Sequence, residues 1–366
     1  GKAMHKLVAI LCIFYLPNTP VDPLPHQPRI SYKPVLGYFQ SLKYPHIFVI
    51  DKVNGGKADS MNAALDYAYY DNVITLDADC ILGEEALDIV NQVFEDENVI
   101  AAGGMVHILQ SRSMDDMFFK LKHIVRFQIF EYMKGFYMYK SSLAKLDALA
   151  IISGAFGIFK RDVLIELKGF RQTIGEDIDI TLQIQQYIMK HKDKKMIFIP
   201  EAVCYTESPE KWRDLFKQRV RWQKAFIDCV IKYRGFLLKS VFNRGVSFFF
   251  LIDSFLVGTT STFFTTFSLL SYLFIPSLQS VHALLVYSIS AMISSLIYST
   301  IAVFVSRYHG THFGGFNKIR LLTTMILDFV FYRYVTLFFV MYGTIEYIFK
   351  PQDWNKFERT GNNYEL

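Results

Sequence analysis

Two apolar runs near the end of the chain decide its class. Val246–Ile275 holds one charged residue, Asp253, and Val281–Val305 holds none beyond His282. A helix needs about 20 predominantly apolar residues to cross the hydrocarbon core of a bilayer, and both runs exceed that. A third run, Leu321–Phe349, is apolar but carries Asp328, Arg333 and Glu346. Charge inside a span is costly and faces protein or water. Two readings therefore stay open for this run: a span lining a polar cavity, or a shorter span followed by an interfacial piece. Before about Arg244 charge returns, and charged residues make up 20% of the 366-residue chain. The expectation is a water-facing domain followed by two to three membrane helices.

Lys232, Arg234, Lys239 and Arg244 flank the first run, and Arg307, Lys318 and Arg320 follow the second. The positive-inside rule puts both groups in the cytoplasm. The chain then reads as a multi-pass protein of the cell membrane, inner or plasma, with its domain cytoplasmic and the lipid bilayer as a partner. Cys12, Cys80, Cys204 and Cys229 have neither zinc nor framework spacing, which excludes a disulfide-stapled scaffold and points to buried thiols. A net charge of +5 suits anionic substrates or lipid headgroups and is no nucleic-acid signature.

Residues 1–44 contain Leu7–Leu16, too short to span and read as a buried strand, and then a proline-rich stretch; they are expected to be irregular. From Pro45, strands and helices alternate: a strand over His46–Asp51, a helix from Lys57, a strand over Val73–Leu76, a helix over Gly83–Phe94 and a strand over Val99–Ile108. Such alternation predicts a parallel, doubly wound sheet with ligands at the carboxyl ends of its strands, where Asp51, Asp77 and Asp79 fall. A long helix is expected over 114–140 and an interfacial helix over 209–232. The divisions that follow are 1–44, a domain over 45–244, a membrane region over 245–350 and a tail over 351–366.

Four motifs carry possible chemistry. Asp77-Ala78-Asp79 places two carboxylates at a strand end, where they can share a hard cation with phosphate oxygens and water, or simply cap the next helix. Asn54-Gly55-Gly56-Lys57 precedes a helix; it is either a phosphate-binding turn or a tight turn with a surface lysine. Gly175-Glu176-Asp177 puts acids in a helix first turn, where they suit the dipole; Asp177 or Asp179 could instead serve as a general base. In Gln218-Arg219-Val220-Arg221-Trp222, helical spacing groups Gln218, Arg221 and Trp222 on one stripe and Trp212, Phe216 and Val220 on another. That helix could offer an amide, a guanidinium and an indole to one partner, or lie on the membrane surface with Lys211, Arg213, Lys217 and Lys224 snorkelling.

Together with Ser153-Gly154-Ala155-Phe156-Gly157, these motifs occur in an order, ahead of membrane helices, that resembles the processive inverting membrane glycosyltransferases. These include the hyaluronan, chitin, cellulose and poly-N-acetylglucosamine synthases. The resemblance covers roughly residues 30–245. It implies an α/β, GT-A-like domain with a mixed, mostly parallel sheet. It also implies a UDP-sugar donor, a polysaccharide acceptor, Mg²⁺ or Mn²⁺ on Asp79, and nucleotide contacts from Asp77 and Lys57. Asp177, with Glu176 beside it, would be the catalytic base; Ser153 and Gly154 would belong to the substrate site. Gln218, Arg221 and Trp222 would hold the diphosphate and the acceptor end. The sugar expected from the Ser153–Gly157 and Gly175–Asp177 variants is N-acetylglucosamine. Accessory membrane or export subunits fit this group, and Trp354 followed by Arg359 resembles its C-terminal tail.

One departure stands out. The family's domain opens with a strand and an acidic turn for the uracil, and no such turn precedes His46. The expectation is a missing first strand–helix unit or two. The sheet would then be incomplete beside Ile47–Asp51, and the chain would bind UDP weakly and make little polymer. Two other classes compete: an inactive membrane scaffold, and a transporter using Asp253, Asp328, Arg333 and Glu346.

Overall fold

The computed structural model describes residues 18–20, 28–111, 121–274, 278–308 and 317–350. The Leu7–Leu16 strand, the first part of the 114–140 helix and the Trp354–Arg359 tail lie outside the described residues. The chain divides into two units: Gly1–Val106 with Ala144–Thr206, and His107–Leu143 with Glu207–Leu366. The division does not follow the boundary at 244 expected from the charge distribution.

The first unit contains two sheets. Strands β1 (Asn18–Pro20), β2 (Val35–Ser41) and β3 (Phe48–Lys52) form an antiparallel three-stranded sheet. Tyr38 of β2 stacks on Phe48 and Tyr67, with centroids 5.3 and 5.1 Å apart. Two expectations fail here. Residues 35–41 are an ordered strand rather than part of an irregular segment, and they pair one side of β3, which stands at the end of this sheet among the described residues. Asp51 lies on this small sheet and not at a strand end of the main one.

The main sheet is built from β4 (Asn72–Leu76), β5 (Cys80–Leu82), β6 (Val99–Ile108), β7 (Phe156–Lys160) and β8 (Lys195–Thr206), in the order β4-β7-β6-β8-β5. β7 is antiparallel to both β4 and β6, and β5 is antiparallel to β8. β8 climbs alongside β6 in the same direction, since Lys195 N–H donates to Asn98 O at 2.8 Å and Ala202 O lies beside Gly104. The sheet is mixed, as expected, but not mostly parallel. Strand–helix alternation does give β4 and β6 one direction; β7, arriving much later in the chain, then inserts between them running the other way.

Helices Lys57–Tyr67, Arg161–Glu166 and Glu176–Lys190 contribute Ala58, Leu65, Leu164, Ile180 and Ile184 to a core shared with Ile100, Ala101 and Phe159 of the sheet. The buried Asn62 side chain exchanges two hydrogen bonds with the Phe170 backbone, at 2.9 and 2.7 Å, and fastens the first helix to a loop 108 residues away. In β6 the run Ala101-Ala102-Gly103-Gly104 is wholly buried. A Cβ on Gly104 would lie 2.1 Å from the Phe156 ring and 3.0 Å from Ala202 O. Gly104→Ala should therefore cost about 1–3 kcal/mol by overpacking, read as a lowered thermal midpoint in detergent.

In the second unit, helix His123–Met133 widens into a π-helical stretch, Lys134–Lys140. Helix Trp212–Lys232 follows the first unit, and among the described residues three helices are long and apolar enough to cross a membrane: Gly245–Ser271, Leu284–Ser306 and Lys318–Phe349. The third runs unbroken from Asn317 to Phe349, with a π-helical stretch at Asp328–Tyr332, so it is not a short span plus a separate piece. Its buried acid is matched: Lys134 Nζ lies 2.6 Å from Asp328 Oδ2. Asp253 of the first span accepts from Tyr139 O–H at 3.1 Å. The buried Asp328 and the partly exposed Asp253, met by the chain's own lysine and tyrosine, read as internal fastenings and weaken the transporter alternative.

The Trp212–Lys232 helix lies along Arg333–Phe349. Phe216 packs on Phe338, Phe339 and Tyr342. Gln223 donates to Thr344 Oγ1 at 3.0 Å and Tyr347 O–H to Asp228 Oδ1 at 2.8 Å. The apolar stripe that could have faced lipid is covered in part by the third span.

Candidate functional site

In the first unit, Asp77 follows directly on β4, and Lys57 opens its helix behind Gly56. Gly56 has φ 90°, in the left-handed region that strains side-chain-bearing residues, and its N–H is capped by Asn54 Oδ1 at 3.0 Å. The Lys57 ammonium bridges two carboxylates, Asp77 Oδ1 at 2.7 Å and Glu176 Oε1 at 2.9 Å. Gly154 fits against this cluster: a Cβ there would be 2.9 Å from Lys57 Nζ and 3.7 Å from both Glu176 Oε1 and Asp177 Cβ. Ser153 makes the turn beside it, accepting the Phe156 N–H at its carbonyl, 3.0 Å away. The Glu176–Lys190 helix is held in place by Thr181, whose hydroxyl donates to Asp177 O at 2.6 Å and accepts from Ile152 N–H at 2.9 Å.

Thus Lys57, Asp77, Glu176, Asp177 and Gly154 come together from segments far apart in sequence. Asp77-Ala78-Asp79 occupies the turn between β4 and β5, with Asp79 half-buried. The choice between Asp177 and Asp179 is sharpened. Asp179 is wholly buried and accepts from Gln183 Nε2 at 2.8 Å, a core arrangement. Asp177 remains partly exposed beside Gly154. Lys57 meets carboxylates here and not an open anion-binding turn.

Burial opposes the charge on Lys57, but Glu176 and Asp77 outweigh it and raise its pKa. Its pairing therefore contributes in full below the ordinary lysine value of about 10.4 and fades only above the raised value. Lys57 therefore keeps its charge throughout the neutral range. The buried Cys204 thiol donates to Ala155 O at 3.7 Å, and the neighbouring Cys80 thiol together with burial pushes its pKa far up.

Of Lys57, Asp77, Asp79, Glu176 and Asp177, four are carboxylates, a set that repels a diphosphate unless a cation intervenes. Among the described residues, no three His, Cys, Asp or Glu side chains are grouped to hold a metal by themselves. The donor set fits a hard cation held jointly by carboxylates, phosphate oxygens and water.

In the second unit, the Gln218–Trp222 motif is organised around Arg219, not Arg221. Arg219 is 7% exposed; its Nη2 lies 2.8 Å from Glu131 Oε2 and its Nη1 donates to Gln218 Oε1 at 2.6 Å. Its guanidinium carbon sits 4.1 Å from the centroid of the Trp222 ring. Tyr332 O–H donates to the same Glu131 oxygen at 2.7 Å. Burial opposes the Arg219 charge, yet Glu131 more than restores it, so its pKa lies above the usual value. Arg219, Glu131 and Tyr332 escape a reading by motif, because the partners lie 88 and 201 residues from each other. An arginine inside the motif whose spacing sets it apart from Gln218 and Arg221 was the only available signal.

Residues 37–225, just over half of the chain, match the family described as "Glycosyltransferase like family 2". The chain belongs to this family. It is 31% identical over 184 residues to the poly-beta-1,6-N-acetyl-D-glucosamine synthase of Staphylococcus aureus (strain COL), covering 49% of this chain and 40% of that one. It is 29% identical over 181 residues to the synthase of the same name from Staphylococcus epidermidis, with coverage of 49% and 40%. The match thus spans about 40% of the length of these curated relatives. A solved structure, the mannosyltransferase PcManGT from Pyrobaculum calidifontis in complex with GDP-Man and Mn²⁺, aligns with TM-score 0.46 and 16% identity over 80% of this chain and 72% of that one. The matched range contains the ordered motifs from Lys57 to Trp222.

Proposed function

We propose that this member of the family transfers N-acetylglucosamine from a UDP-sugar to a growing polysaccharide with inversion, from the cytoplasmic side of a membrane. The observation that carries it is the Lys57–Asp77–Glu176 cluster, with Gly154 and Asp177 against it, inside the family match. The names of the staphylococcal relatives support the sugar. The basic residues beside the apolar helices support the sidedness.

Asp79 and Asp77 are the residues that would hold Mg²⁺ or Mn²⁺. When bound, the ion supplies charge stabilisation at the leaving diphosphate. Lys57 pairs with both Asp77 and Glu176 and fixes their direction. Asp177, partly exposed in the first turn of its helix, takes the proton from the acceptor hydroxyl. One base suffices for a single displacement at the anomeric carbon. Gln218 and Arg221 are assigned to the diphosphate, and Trp222 to the acceptor end. The apolar helices hold the enzyme in the bilayer and pass the product outward, with export subunits as partners.

The test is incorporation of radiolabel from UDP-N-acetylglucosamine by the purified chain in detergent, with and without Mg²⁺ or Mn²⁺. The expected result is metal-dependent polymer, with UDP-glucose much poorer as donor. UDP binding without any transfer would favour a scaffold, and no UDP binding at all would defeat the proposal.

A further inference from the structure

The structure assigns Glu131 and Arg219 as positioning residues for Trp222; their effect on acceptor use rests on the transferase proposal above. Arg219 makes three contacts at once. It pairs with Glu131 at 2.8 Å, donates to the Gln218 amide oxygen at 2.6 Å and lies 4.1 Å from the centre of the Trp222 ring. Two of the three motif side chains that face a substrate are thus oriented by an arginine that is itself 7% exposed.

A planar guanidinium can do this because its edge binds oxygens while its face covers an aromatic ring. Trp222 is 40% exposed. One ring face is occupied by Arg219, and the exposed remainder is held in one direction. Without Arg219 the indole would be free to turn over its rotamers. Glu131 is the anchor of the arrangement. It comes from the His123–Met133 helix and is fixed in turn by Tyr332 of the third span. The indole's orientation therefore depends on a residue 91 positions upstream and on a membrane helix, though neither touches it in the contacts above.

Removing Glu131 leaves a buried cation without its counter-charge, and that change can unfold the protein outright. Arg219→Lys avoids the difficulty, since a lysine retains the pairing charge for Glu131 but has no planar face and no second fork for Gln218. The experiment uses full-length protein in detergent, in a Trp212→Phe, Trp354→Phe background where Trp222 is the only indole. Two quantities are read: Trp222 emission, and KM for donor and for a short N-acetylglucosamine oligosaccharide acceptor.

The expected result for Arg219→Lys is a changed Trp222 emission and an acceptor KM raised roughly three- to tenfold, the scale of one cation–π contact. Donor KM should rise less than acceptor KM, through the lost hydrogen bond to Gln218, and the rate at saturating donor and acceptor should stay near that of the background protein. Glu131→Gln, if folded, should change the emission in the same direction. Arg219→Lys with unchanged emission and unchanged acceptor KM would overturn the assignment, as would equal losses in donor and acceptor KM. If even the background protein transfers no sugar, the transferase proposal fails on its own, and the emission change still decides whether Arg219 orients the indole.

Discussion

Asp79→Asn should lower sugar transfer by about 10³-fold, the several kcal/mol that a metal contributes at a leaving diphosphate. The thermal midpoint should stay close to that of the wild type. Asp79 is half-buried in the turn between β4 and β5 and takes no part in the hydrophobic core, so an isosteric amide disturbs little packing. The loss should appear at every Mn²⁺ concentration if the carboxylate is a ligand. A variant within a few-fold of wild type would remove Asp79 from the site and leave Asp77 as the residue to test.

Asp177→Asn should lower kcat by about 10²–10⁴-fold, the usual contribution of a positioned base. Donor KM should hardly change, because proton removal belongs to the transition state and not to donor binding. Asp179→Asn is the informative partner. Asp179 is fully buried and receives a hydrogen bond from Gln183, so its replacement should act through stability, at about 1–3 kcal/mol for a disturbed buried hydrogen bond. Turnover per folded molecule should be kept. Steady-state kinetics with a melting curve on both variants separate the two roles. A larger kcat loss for Asp179→Asn than for Asp177→Asn would exchange their assignments.

These predictions rest on features of unequal legibility. Membrane helices are legible because a bilayer demands a long run of apolar residues in one continuous stretch, and such runs need no partner to be recognised. The β4 and β6 strands are legible for a similar reason: Val73-Ile74-Thr75-Leu76 and Val99–Ile108 carry their apolar pattern in themselves. Pairing is not. Which strand neighbours which depends on where β7 inserts, and no local property of Phe156–Lys160 reports that it will lie between β4 and β6. The mixed sheet was expected, but its mostly parallel character failed on this point.

The candidate site divides the same way. Asp77, Asp79, Glu176 and Asp177 were legible as acids at a strand end and a helix start, because backbone geometry makes such positions chemically available. That Lys57 bridges Asp77 and Glu176, and that Gly154 closes on them, was decided only by tertiary structure. These groups lie up to 119 residues apart, from Lys57 to Glu176, and are brought within hydrogen-bond reach by the packing of two helices on one sheet. The Gln218–Trp222 motif announced itself by spacing. The residue that orders it, Arg219, became visible only with Glu131 and Tyr332 in place, since an ion pair between distant segments leaves no periodic trace in a chain.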